Sequence, residues 1–399
     1  MTTLGLATSP TVAPLLAARL ISSAGVGFGQ VALVWGLKEL GYSPSEIAIV
    51  VACKGLPAVL ILAGGVLGDR FKRHHILAIA ELAAGASWLG LAACLLNGRA
   101  PLAMLCLLTL LSGTAYFIFL PTVRSVTADL LPPDRRHAGN ALVGQTEAVG
   151  LLTGLASAGV VVTTMGPAFA AGLKSAMCGL SMVLLLRLDT SVRRTVTPGP
   201  IADLAAGWRY FIAHRWMWAM TLQFTTVVIA TATFAEIIGP LYMSQHRHGA
   251  DAWGMVAASE ALGALVGAAL VLRLKPRRPI PLAVGLLTLT ALPMLLIGSG
   301  AAVATIALGM LVSGTVKAMY LVLWITELQK TLPIEALARV NGWSILPAYF
   351  LTPIALAFAG PLVELNGPAT AAIAIGTNIP IASAIVLLSR SWHPRPRLA

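Results

Sequence analysis

Charge is scarce in this chain, and acidic charge scarcest. Of 399 residues only 11% are charged, with 15 Asp or Glu against 27 Lys or Arg. A water-soluble domain carries about 25% charged residues, so most of this chain does not face water. Cysteine is nearly absent. The four present (Cys53, Cys94, Cys106 and Cys178) lie inside apolar runs without metal-ligand spacing, which reads as buried free thiols and leaves no metal site. Catalytic signatures are missing too. There is no HExxH, no GxSxG and no paired Asp-rich metal site, and His246-Arg247-His248 is a weak ligand set. These absences weigh against a membrane-embedded enzyme. The lack of a Gly-x-x-x-x-Gly-Lys-Ser/Thr loop weighs against a nucleotide-driven pump, and no cofactor is expected. Met1–Pro10 has no basic leader, so the first apolar run is expected to remain as a span rather than be cleaved.

What is abundant is hydrocarbon. Hydrophobic residues make up 57% of the chain and the mean hydropathy is +0.85. A helix of ~20 apolar residues crosses the ~30 Å hydrocarbon layer. Reading apolar runs against turns and charges yields twelve spans, from Val12–Leu37 to Ala369–Leu388; the second is Ser45–Gly68, the seventh Trp216–Tyr242 and the eleventh Ala336–Pro361. The net charge of +12 sits in short gaps between these runs, not on one face of a domain, which argues against a nucleic-acid partner. With the N-terminus inside, twenty basic residues fall on the cytoplasmic side. Three fall outside (Lys38, Arg99, Arg247) and four within spans (Arg19, Lys54, Lys174, Lys317). That bias places both termini in the cytoplasm of a cell (inner) membrane protein.

The longest hydrophilic stretch, Asp189–His214, carries Pro198-Gly199-Pro200 and Arg193, Arg194 and Arg209. It reads as a cytoplasmic linker (189–214) between an N-terminal half (1–188) and a C-terminal half (215–399), each of six helices. An internal repeat supports the division. At a shift of 201, Ser112-Gly113-Thr114 matches Ser313-Gly314-Thr315, Leu131-Pro132 matches Leu332-Pro333, and Asn140 matches Asn341. At 203, Gly64 matches Gly267 and Arg70 matches Arg273. The expected fold is therefore all-α: twelve transmembrane helices in two pseudo-symmetric six-helix bundles.

Between spans two and three the chain reads Gly65-Val66-Leu67-Gly68-Asp69-Arg70-Phe71-Lys72-Arg73. This resembles the signature loop of the major facilitator superfamily. Ala32-Leu33-Val34-Trp35, Leu56-Pro57 and Glu327-Leu328-Gln329 leading to Arg339 resemble the drug and siderophore exporter branch, which contains macrolide efflux and enterobactin export proteins. The resemblance covers essentially the whole chain and departs at two points. Gly150-Leu151-Leu152-Thr153-Gly154 in span five lacks the proline of a Gly-Pro pair, which weighs against proton antiport, and Leu272 stands where Asp69 would repeat. It implies a gate at the cytoplasmic face. Gly65 allows close helix packing, Asp69 sits against the positive end of a neighbouring helix, and Arg70 and Arg73 pair with Asp129.

Ionisable groups at membrane depth cost a few kcal/mol and are functional candidates by default. Glu147 and Glu260 each lie about nine residues from one end of spans five and eight, hence about 13 Å from opposite faces. They are the first candidates to carry a proton, as a like-charged pair near the midplane with Lys54 at similar depth. Lys317 and Arg19 are read as snorkelling towards the cytoplasmic surface, Glu236 and Lys174 as interface residues, and Glu81 as locally paired. Gln30, Trp35, Tyr116, Phe119, Gln223, Phe224, Tyr320 and Trp324 are candidates to line a cavity, and Trp208, Trp216, Trp218 and Trp392 read as interfacial anchors. The resulting expectation is a monomeric secondary transporter in the lipid bilayer, exchanging a small, moderately apolar antibiotic, drug or siderophore-like metabolite for protons. An importer or a non-transporting sensor on the same fold is the alternative.

Overall fold

The structure is a computed structural model of the chain. It describes residues 9–60, 71–98, 100–132, 135–189, 208–246, 249–274, 276–332 and 334–388. Among the described residues every regular element is helical. Ten helices among these residues are long and apolar enough to cross a membrane. In chain order the elements are α1 (Ala13–Glu39), α2 (Pro44–Gly55), α3 (Arg73–Asn97), α4 (Leu102–Leu130), α5 (Arg136–Met165) and α6 (Pro167–Leu186), then α7 (Arg215–Thr233), α8 (Gly239–Gln245), α9 (Ala250–Val271), α10 (Pro279–Thr288), α11 (Leu292–Gly298), α12 (Val303–Thr331) and α13 (Ile334–Leu388).

Local chemistry sets several boundaries. α2 opens on a reciprocal cap: the Glu46 amide donates to Ser43 Oγ at 3.2 Å and the Ser43 amide to Glu46 Oε2 at 2.8 Å. That satisfies two of the helix's orphan donors. A 3₁₀ turn, Leu56–Leu60, follows α2, and the remainder of expected span two, with the signature residues Gly65, Asp69 and Arg70, lies outside the described residues. α5 and α6 are divided at Gly166, which takes φ +87 before Pro167. Only glycine adopts that backbone without strain, and proline then starts a helix readily. The same Gly-Pro device recurs 201 residues on: Gly367 takes φ +76 before Pro368 and interrupts α13. α13 is thus two helical segments end to end, where spans eleven and twelve were expected. Span seven is also composite, since a π-helical turn, Phe234–Ile238, joins α7 to α8.

The chain packs as two compact units. One comprises Met1–Thr195 with Pro240–Ala258, the other Val196–Gly239 with Ser259–Ala399. In the first, α1 packs on α5 and α6, α3 on α4 and α6, and α2 on α4. Glycines set the α1–α5 contact: a Cβ at Gly150 or Gly154 would run into the carbonyl oxygens of Leu20 or Ala24. The C-terminal part of α5 also meets the start of α9, where the Asp251 amide donates to Thr163 Oγ1 at 3.3 Å. In the second unit α7 packs on α13, and α10 and α11 pack on α12.

Candidate functional site

The glycine contacts decide where the intramembrane charges fall. Gly150 seats against the Leu20 carbonyl. One residue before Leu20 stands Arg19, and one helical turn before Gly150 stands Glu147, so the two side chains meet. Arg19 Nη2 lies 2.6 Å from Glu147 Oε1. Arg19 is only 4% exposed whereas Glu147 is 43% exposed, and the guanidinium also lies 5.5 Å from the Phe119 ring centroid.

A second pair arises the same way. Gly314, of the repeated Ser-Gly-Thr segment, leaves no room for a Cβ against the Glu260 carbonyl. Lys317, three residues further along α12, thereby reaches Glu260, and its Nζ donates to Oε1. In the first repeat Gly113 stands against the Lys54 carbonyl in the same close approach. Lys54 and Tyr116 are thus the positional counterparts of Glu260 and Lys317.

These contacts revise the sequence reading. Arg19 and Lys317 were expected to snorkel towards the surface, yet each bonds a carboxylate of its own unit. Their depth follows from backbone packing, which hydropathy does not encode. Glu147 and Glu260, expected as a like-charged pair, are each neutralised by a separate cation. Lys174, expected at an interface on a peripheral helix, is buried with 9% exposure. α6 packs that face on α1 and α3, and the Lys174 Nζ rests 4.3 Å from the Trp88 ring centroid. Glu81, expected to pair locally, accepts instead from Ser181 Oγ on α6 at 3.0 Å.

Arg73 Nη1 lies 2.7 Å from Asp129 Oδ1 at one end of the first unit, joining the start of α3 to the end of α4. Both side chains are largely buried.

The aromatic and amide candidates divide. Tyr116 and Phe119 line a small, half-open cleft in the first unit, together with Arg19, Glu81 and Lys174. Trp35 is buried, and Gln30 is half-buried on α1. Gln223 is fully buried in the second unit, where its Nε2 donates to the Val284 carbonyl at 2.9 Å and to Ser383 Oγ at 2.7 Å. That places it as a tether between helices rather than as a handle on a cavity. Tyr320 stacks on Phe224 and on Trp324, and Trp324 meets Trp216 edge-on. This ring ladder buries Trp216, which sequence reading had placed at the membrane surface; Trp208 and Trp218 are exposed, and Trp392 lies outside the described residues. Glu236 is half-buried in the π-helical turn. Such turns often mark functional positions.

Comparison with known proteins agrees with this geometry. The chain is 25% identical over 397 residues to the enterobactin exporter EntS of Shigella boydii serotype 18, with 96% of this chain and 92% of the relative covered. It matches EntS of Escherichia coli O6:K15:H31 to the same extent. The fold is shared with a bacterial homologue of the human lysosomal transporter Spinster (TM-score 0.74, 15% identity, 98% of this chain and 100% of that one). It is shared also with the nucleoside transporter NupG (TM-score 0.71, 13% identity, 97% and 100%). Residues 15–357 match the Major Facilitator Superfamily. The chain belongs to the Major Facilitator Superfamily: it is a multi-pass membrane transporter, not an enzyme.

Proposed function

We propose that the protein is a proton-coupled exporter of a small, moderately apolar organic compound, siderophore-like or drug-like, working as a monomer by alternating access. Twelve spans arranged as two six-helix halves, with both termini cytoplasmic, complete the reading. The observation that carries it is the Arg19–Glu147 pair: a buried guanidinium bound to a carboxylate that is itself half-exposed. A proton on Glu147 neutralises the carboxylate and weakens its hold on Arg19. A carboxylate alternating between a cation and a proton is what coupling to a pH gradient requires. Lys317–Glu260 offers the same chemistry in the second unit. Full-length similarity to enterobactin exporters supports the outward direction. Arg73–Asp129 is the gating contact of this reading.

Everted membrane vesicles test the reading. Substrate addition to vesicles carrying an imposed pH gradient should dissipate it in the wild type. Glu147→Gln and Glu260→Gln keep the side-chain shape and remove the titration. At least one variant should bind and exchange substrate yet lose uphill accumulation. Full pH-driven accumulation in both would remove these carboxyls from the mechanism and leave Glu236 as the next candidate.

A further inference from the structure

A third set of ionisable groups lies wholly inside the first unit, centred on a carboxyl and an ammonium that take no part in the pairs above. Glu81, 3% exposed, projects from α3 where α1, α4 and α6 converge on the cleft. The Ser181 hydroxyl on α6 donates to its carboxyl at 3.0 Å, Ser22 on α1 and Cys178 on α6 stand beside it, and Lys174 faces it as a cation of the same cleft. Arg19 from α1 and Tyr116 from α4 line the same cleft. The ionisable groups around Glu81 are therefore Lys174 and Cys178 from α6, Arg19 from α1 and Tyr116 from α4.

Two features set this cluster apart from a structural ion pair. The first is that Lys174 has a second anchor. Its ammonium lies 4.3 Å from the Trp88 ring centroid, and the Trp88 indole N–H is tied to Ser112 Oγ at 2.9 Å, which holds the ring in place. A cation–π contact is strongest in a desolvated site such as this one. Lys174 thus keeps a partner when Glu81 is neutral. The second is that the Ser22 and Ser181 hydroxyls both donate and accept. They bond a carboxylate as donors, and a carboxylic acid as acceptors after rotating. Neither protonation state leaves a buried polar atom stranded, which is the usual cost of such a change. The cleft beside the carboxyl has room for a few water molecules among polar partners, as a proton path needs. The fold does not demand these charges. Pro279–Gly298 and Pro368–Leu388, which the repeat sets against α3 and α6, contain no Asp, Glu, Lys, Arg or His.

We propose that Glu81 is a proton-exchanging carboxyl, taking a proton from water in the cleft onto one carboxyl oxygen and returning it there, with Lys174 as its counter-charge held by Trp88. The proposal does not rest on Glu147 or Glu260 coupling transport, and its test reads protonation rather than transport.

Infrared difference spectroscopy on the purified full chain in lipid nanodiscs, stepped through pH, follows the carboxylic-acid C=O stretch. A band that titrates reversibly is expected in the wild type and should be missing in Glu81→Gln. The band should persist to more alkaline pH in Lys174→Met, by about one pH unit or more, because an opposite charge at close range favours the ionised form. Ser181→Ala leaves the carboxyl in place and removes one donor to the carboxylate, so it should move the midpoint in the same sense even where Glu81→Gln folds poorly. A purely structural Glu81 predicts wild-type and Glu81→Gln spectra that match throughout, or a midpoint unmoved by Lys174→Met and Ser181→Ala. Either result overturns the proposal. Loss of uphill transport in Glu147→Gln with the Glu81 band intact would uphold both readings independently.

Discussion

Removing Glu147 should cost more than removing Arg19, because the two ends of that pair are unequally buried. Replacing Glu147 with leucine leaves a guanidinium that is 4% exposed without its carboxylate. Insertion scales set a lone arginine at the centre of a membrane helix at about 2.5–3.5 kcal/mol. The Phe119 face, 5.5 Å away, recovers about 0.5–2 kcal/mol of that. Glu147→Leu should therefore destabilise the protein by about 1–3 kcal/mol. Arg19→Met strands only a carboxylate that is 43% exposed, for a smaller loss of under about 1 kcal/mol. The double variant Arg19→Met/Glu147→Leu holds no lone charge, and apolar replacement of a buried pair is often neutral. A double-mutant cycle should thus return a coupling energy of about 1–4 kcal/mol. Reversible unfolding in mixed micelles is the assay. Glu327–Lys330, an i,i+3 pair whose lysine is well exposed, is the control, with an expected coupling of about 0.2–0.5 kcal/mol. An Arg19–Glu147 coupling no larger than the control, or single variants of equal cost, would refute the reasoning.

Asp129→Asn should leave membrane insertion normal while slowing transport. Weakening the Arg73 contact shifts the balance of conformations by about 1–2 kcal/mol, roughly five- to thirtyfold, and the exchange Arg73→Asp/Asp129→Arg should recover part of the rate; equal rates in all three proteins would count against a latch. Gly154→Leu should lower folded yield and stability by about 1–3 kcal/mol or more, since overpacking drives α1 off α5, whereas Gly172→Leu, at a glycine with open space around it, should change stability by less than about 0.5 kcal/mol; thermal unfolding of the two variants separates them.

The ten membrane-length helices among the described residues were legible because a bilayer demands long apolar runs, and runs of that length survive errors of a few residues at their ends. The Gly166-Pro167 break was legible as well, since turn residues mark the change of direction whatever the helices pack against. The Arg73–Asp129 pair was visible through the resemblance alone. What hydropathy does not carry is rotation. Each helix is apolar nearly all round, so no moment tells which face meets a neighbour. The rotation of α1 is set by Gly150 and Gly154 pressing on its carbonyls, and that contact turns Arg19 inward. For the same reason Lys174 looked peripheral, and Gln223 and Trp216 looked accessible. The short π-helical turn at Glu236 leaves no mark in composition, since its five residues, Phe-Ala-Glu-Ile-Ile, suit an α-helix equally well.

The two Ser-Gly-Thr segments form the same knob-free joint twice, each glycine flat against a backbone carbonyl, that of Lys54 in one instance and of Glu260 in the other. The joint is indifferent to which side chain that residue carries. A duplicated chassis of this kind lets each copy be rewired separately: one copy holds Lys54 with Tyr116 at the offset of three, the other Glu260 with Lys317. Transplanting the second wiring into the first, as Lys54→Glu/Tyr116→Lys, changes the charge plan of the copy without touching the glycine contact that carries it. Transporters assembled on such joints can acquire new ionic circuitry by side-chain substitution alone, leaving their architecture unaltered.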